Sequence, residues 1–268
     1  MKRWIINIML VLLLWFPALP AIAATESVPL TQEKLQQGEE LAHKAFIAGD
    51  RGDLGTAESY WTQLVEMFPT NPAVWSNRGN VRVGQNKLVS AIADFNQAIE
   101  LAPQYPDPYL NRGAALEAQG KYAEAIKDYE QVLAIDPNDA MAYNNRGNAK
   151  AGQGNWEEAL VDYKQAMTIE PNFAFARANY ALALYQTNQQ RQAIGIMRAL
   201  VRRYPMFSDM RAALTAALWV QGKQGEAESN WVAAVGLDDR YQDLQWVKDV
   251  RRWPPLLVGD LEKFFNLD

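Results

Sequence analysis

Cysteine is absent from the 268 residues, so the chain has neither disulfides nor thiolate metal ligands. There is a single histidine, His43. One imidazole with no carboxylates spaced around it supplies neither a metal site nor a catalytic dyad. No run of Lys and Arg occurs, and net charge is -5, which argues against a nucleic-acid partner. Beyond the N-terminus no apolar stretch is long enough to span a bilayer. What remains is 49 % hydrophobic and 21 % charged, the balance of an ordered chain rather than a disordered one.

The N-terminus reads as targeting. Lys2 and Arg3 precede the apolar run "IINIMLVLLLWF", and "PALPAIAA" follows with small residues at Ala21 and Ala23. Residues 1–24 are therefore expected to be an export signal. The other reading is an uncleaved N-terminal anchor that tethers the protein to a membrane.

The rest of the chain is periodic. Pro69, Pro103, Pro137, Pro171 and Pro205 recur at a fixed step of 34 residues. Counting each as position 32 of a unit sets six starts, at Gly38, Pro72, Pro106, Ala140, Ala174 and Ser208. Position 20 is then always Ala: Ala57, Ala91, Ala125, Ala159, Ala193 and Ala227. Position 24 is always large: Trp61, Phe95, Tyr129, Tyr163, Met197 and Trp231. Position 15 is Gly or Asn in all six, the residue types that accept the left-handed conformation closing a helix. Each unit is thus two helices with a tight turn between them, and proline stops the second. A single pair cannot bury its apolar face, so neighbours must stack.

Residues 38–239 are accordingly predicted to hold six two-helix units, with 25–37 as a polar lead-in in which the first helix can begin. Residues 240–268 form the C-terminal cap and tail. In "RYQDLQWVKDVRRW", Tyr241, Leu244, Val247 and Val250 suggest one capping helix, ended by Pro254 and Pro255. Leu257, Leu261, Phe264 and Phe265 beyond it either dock on the stack or form a partner-binding tail.

This pattern, from "WSNRGNVRVGQNKLVSAIADFNQAIELAP" to "YNNRGNAKAGQGNWEEALVDYKQAMTIEP", resembles the tetratricopeptide repeat family. The resemblance implies an all-α, right-handed helical-repeat solenoid whose first helices line a concave groove. It also implies a non-enzymatic scaffold for peptides or proteins. Family positions 2, 5, 6, 9, 12 and 13 face that groove. Asn77, Asn111, Asn145 and Asn179 hold position 6, and Asn80 and Asn148 hold position 9. Asn is a weak helix former, so its recurrence calls for a reason. A row of carboxamides would satisfy the main chain of an extended peptide. Alternatively, the amides bond between helices and touch no ligand. Tyr185 and Trp219 would add an aromatic anchor at the C-terminal end of the groove, unless the cap covers Trp219.

Arg78, Arg112 and Arg146 at position 7 accompany Asp94, Asp128 and Asp162 at position 23, and units without the arginine lack the aspartate. Joint presence suggests structural ion pairs between the two helices. The two-carboxylate clamp of chaperone-tail-binding relatives needs Lys or Arg at position 2, 5 or 6, and position 6 is Asn in four units. At positions 2 and 5 of the same four units no cation occurs either. Ala73, Asp107, Met141, Phe175, Ser76, Leu110, Asn144 and Ala178 stand there instead.

No residue set calls for a cofactor or metal. "AGQGN" at 151–155 lies on a turn and follows no strand, so it is no dinucleotide site. The function class expected is protein or peptide binding, with a self-associating structural solenoid as the alternative. "FARANYALALYQ" and "RRWPPLLVGDLEKFFNL" look like tetratricopeptide proteins of the cyanobacterial and chloroplast thylakoid lumen. That resemblance implies a role in assembling membrane complexes, in the lumen or in a bacterial periplasm.

Overall fold

The computed structural model describes residues 31–267. The expected export signal lies outside the described residues. The chain divides into two compact units between Glu39 and Glu40. Among the described residues no helix is long and apolar enough to cross a membrane.

All regular structure among the described residues is helical. The hairpins pair α1 (Gln32–Asp50) with α2 (Leu54–Met67), and α3 (Pro72–Gly84) with α4 (Leu88–Leu101). They continue with α5 (Pro106–Ala118) and α6 (Tyr122–Ile135), then α7 (Ala140–Gly152) and α8 (Trp156–Ile169). The last two are α9 (Ala174–Gln186) with α10 (Gln190–Arg203), and α11 (Ser208–Trp219) with α12 (Gln224–Leu237). Helix α1 begins inside the stretch expected to be lead-in, because "QEKLQQ" consists of strong helix formers.

Every hairpin turn uses position 15 as its left-handed residue, from Gly52 (φ 78°) to Asn188 (φ 61°). Packing follows two columns. The six alanines of position 20 have no exposed surface, which lets paired helices approach closely. The side chains of position 24 fill the space beside them, with Phe95, Tyr129 and Met197 fully buried.

A third column, position 8, explains the glycine of the "NRG" strings. A Cβ on Gly79, Gly113 or Gly147 would lie 2.6 Å from the ring of Phe95, Tyr129 or Tyr163. The ring lies on the backbone of the first helix, and only glycine leaves it room. Gly113→Ala is therefore expected to destabilise by about 1–3 kcal/mol through overpacking. Gly195→Ala, at a mid-helix site with nothing within 4 Å, should instead gain roughly 0.5–1 kcal/mol from helix propensity. Urea unfolding of the two variants checks the contrast of sign.

The C-terminal region departs from the single capping helix expected. A 3-10 turn covers Asp239–Gln242, and α13 (Leu244–Asp249) has only 6 residues. Asp243 accepts from the backbone N–H groups of Gln245 and Trp246, so a fresh helix starts there. Val250 falls after α13 ends and is 61 % exposed. Helix α14 (Pro255–Asn266) folds back onto α9 and α11. It buries Leu257, Leu261 and Phe264, and Phe264 meets the Trp219 and Trp231 rings edge-on at 5.1 and 5.2 Å.

Candidate peptide-binding groove

First helices of successive units touch each other directly, α3 on α5, α5 on α7 and α7 on α9. They form one continuous wall, and the recurring asparagines lie along it. Asn77, Asn111, Asn145 and Asn179 are all half-buried at the same register, and Asn148 is half-buried while Asn80 is exposed.

The structure divides these amides into two groups. Asn179 Nδ2 donates to Asn144 Oδ1 and to Asn148 Oδ1, both at 3.0 Å, joining α9 to α7. Asn144 Nδ2 donates to Asn145 Oδ1 at 3.1 Å, and the Tyr163 hydroxyl donates to Asn148 Oδ1 at 3.0 Å. These four asparagines with Tyr163 are a network between helices, satisfied largely within the protein. Asn144, buried at the centre of it, occurs at position 5 of the fourth unit only, so no periodic column points to it. By contrast, Asn77, Asn80 and Asn111 form no side-chain hydrogen bond among the described residues. Their donors and acceptors face solvent on the wall of the second and third units.

Tyr185 and Trp219 do not line an open groove. They are 2 % and 8 % exposed, because α14 lies on the wall of the last two units. The Tyr185 hydroxyl donates to Asp260 Oδ2 at 2.6 Å, and burial followed by that bond pushes the phenol pKa up. Lys263 Nζ holds the other oxygen of Asp260 at 2.8 Å. Gln186 Oε1 accepts from the Leu256 N–H, so the wall itself satisfies one orphan donor at the start of α14. The aromatic pocket exists, and its occupant is the chain's own tail.

The segment before α14 spans the wall. Buried Asp209 accepts from the Tyr241 hydroxyl (2.7 Å), Arg251 Nε (2.9 Å) and Trp253 Nε1 (3.0 Å), all at Oδ1. Between Arg251 and Trp253, Arg252 adopts φ 53° and reaches Glu117 and the Ala118 carbonyl of the third unit, both at 3.5 Å. Burial pushes the Glu117 carboxyl above its ordinary value, and the Arg252 charge offsets part of that shift.

The arginine and aspartate columns meet within each hairpin. Arg78 donates to Asp94 through Nε (3.0 Å) and an Nη (2.7 Å). Arg112 reaches Asp128 at 2.8 and 2.6 Å, and Arg146 reaches Asp162 at 2.9 and 2.7 Å. The hydrogen bonds to Asp128 and Asp162 push the Arg112 and Arg146 pKa values up. Each guanidinium also lies over the aromatic ring one turn earlier, with Arg78 on Trp75, Arg112 on Tyr109 and Arg146 on Tyr143. The sequence reading missed those aromatics of position 4, although they accompany the arginine in all three units. Additional cations join two of the carboxylates, Arg82 at Asp94 (2.8 Å) and Lys150 at Asp162 (2.9 Å). His43 is an exposed residue of α1.

A family model described as TPR repeat matches residues 79–120 and 118–154. Two tetratricopeptide repeat models match residues 140–173 and 179–205. No curated protein matches the sequence. Among solved structures, a tetratricopeptide repeat protein from Parabacteroides merdae superposes with TM-score 0.63 at 20 % identity, over 85 % of this chain and 98 % of that one. A thermophilic TPR protein in Thermus thermophilus gives 0.58 at 16 % identity, over 68 % and 99 %. YrrB, a TPR protein with an unusual peptide-binding site, gives 0.52 at 18 % identity, over 68 % and 94 %. At these identities the likeness is one of fold.

Proposed function

Since this chain is built from tetratricopeptide repeats, we propose that it is a non-enzymatic scaffold, holding a peptide or protein partner on the wall of its second and third units. The observation that carries this reading is the pair Asn77 and Asn111. Both are half-buried carboxamides at one register with no intramolecular hydrogen bond. Each offers a donor and an acceptor to an extended main chain. Because the wall is preorganised by packing, the receptor loses little entropy on binding. The apolar surface of the last units is covered by α14, which leaves less for end-to-end self-association.

The test is recovery of partner by the mature chain. Asn77→Ala/Asn111→Ala is expected to lose the partner with stability changed by less than about 0.5 kcal/mol, as for surface sites. Asn145→Ala/Asn179→Ala is expected to cost about 1–3 kcal/mol, because buried network partners are left unpaired. Full partner recovery by the first variant would defeat the groove reading.

We also propose that the scaffold works outside the cytoplasm, in a periplasm or thylakoid lumen, on proteins of membrane complexes. The layout of residues 1–24 supports export, and the likeness of "FARANYALALYQ" and "RRWPPLLVGDLEKFFNL" to thylakoid-lumen tetratricopeptide proteins supports the role on membrane complexes. Intact mass of the chain isolated from its cells is the check, with loss of that segment as the expected result.

A further inference from the structure

Between Glu170 and Asp209 the sequence contains no carboxylate, yet it contains Arg177, Arg191, Arg198, Arg202 and Arg203. In a chain whose net charge is -5, the fifth hairpin is a basic island. Most of that charge sits on α10. Its buried side is Ala193, Ile194, Met197 and Leu200. Its exposed side presents Arg191, Gln192, Gly195, Ala199, Arg202 and Arg203.

Arg191, Gly195, Arg198 and Arg202 follow the spacing of one helical stripe. Arg198 already shows what this face binds, since Glu226 takes its guanidinium in a two-bond fork at 2.7 and 2.6 Å. The side chains of Arg191 and Arg202 have no hydrogen bond, ion pair or ring contact among the described residues. They stand 11 residues apart, about 16 Å along the axis at a rise of ~1.5 Å per residue.

We propose that the outward face of α10 is a second interaction surface, independent of the asparagine wall, that docks a carboxylate-rich segment of a partner protein. Arginine suits this use because its planar fork takes a carboxylate with two bonds, which a lysine cannot do. The small side chains of Gly195 and Ala199 let a partner approach between the two free guanidinium groups. The same face has no large apolar side chain to enter a bilayer, since Ile194, Met197 and Leu200 all point into the stack. Binding of this kind is steered by charge and weakens with salt over a Debye length of about 8–10 Å.

The experiment uses the full chain and a labelled oligoglutamate long enough to span ~16 Å, read by fluorescence anisotropy at low and physiological salt. Oligoglutamate is expected to bind and oligoglutamine is not. Arg191→Glu/Arg202→Glu should weaken oligoglutamate binding by roughly tenfold or more, with an unchanged thermal melt, since neither side chain holds the fold. Wild-type affinity in that variant would overturn the proposal, as would absence of oligoglutamate binding at low salt. It is equally overturned if phosphatidylglycerol vesicles, and not oligoglutamate, bind with the same arginine dependence. A charge-dependent dimer seen by sedimentation, without oligoglutamate binding, would identify a second copy of the chain instead.

Discussion

Truncation after Trp253 is expected to unfold the last hairpin while the middle of the stack stays folded. Helix α14 contributes Leu257, Leu261 and Phe264 to the core of the fifth and sixth units, and all of α11 from Asp209 to Trp219, except half-buried Arg211, is buried. Replacing one such side chain by alanine costs about 2–5 kcal/mol, so losing the set exceeds what one hairpin interface supplies. In a stack whose helices pack mainly on those of adjacent units, the loss fades toward the N-terminus, although the Arg252 contact to Glu117 reaches back to the third unit. Hydrogen exchange would show α11 and α12 losing protection, with α3 to α8 close to the full-length chain. The milder Leu261→Ala should lower the C-terminal transition by about 2–5 kcal/mol. If the truncated chain kept α11 protected, α14 would be a detachable occupant, and the wall around Tyr185 and Trp219 would be open to partners.

What could be read from the sequence was whatever repeats. The all-helical stack follows from the 34-residue columns, because turn, close-approach and filler residues each recur where the hairpin needs them. The position of α14 has no such signature. The apolar spacing of Leu257, Leu261 and Phe264 marks a buried helical face but not the surface it meets. The bond that the Tyr185 hydroxyl donates to Asp260 joins residues 75 apart. The Tyr241, Leu244, Val247, Val250 stripe misleads for a geometric reason. At about 100° per residue, steps of three drift by about 60° each, so Val250 ends half a turn from Tyr241. The asparagines share one register, yet Asn179 is bonded and Asn111 is free. That difference depends on Asn144 of the adjacent helix, which the column of position 6 does not contain.

The second large effect is expected at Asp162. This carboxylate is buried and holds two cations, Arg146 through a fork and Lys150 at 2.9 Å. Asp162→Ala leaves Arg146 part-buried without its carboxylate and Lys150 with only Glu158 at 3.6 Å, a change that costs about 3–5 kcal/mol. Asp128→Ala should fall at the lower end of that range. Only Arg112 is orphaned there, and it keeps its bond to Asn96 Oδ1 at 2.6 Å. The third unit also separates the worth of the pair from the penalty of breaking it. Arg112→Met/Asp128→Leu removes both charges and fills their volume, and it should recover most of the stability lost in Asp128→Ala. Urea unfolding of the single and double variants reads the difference. If the double variant were as unstable as the single one, the ion pair would itself hold the two helices together. If it recovers, the arginine and aspartate columns fix which faces of the helices meet, and the alanine, glycine and aromatic columns supply the energy.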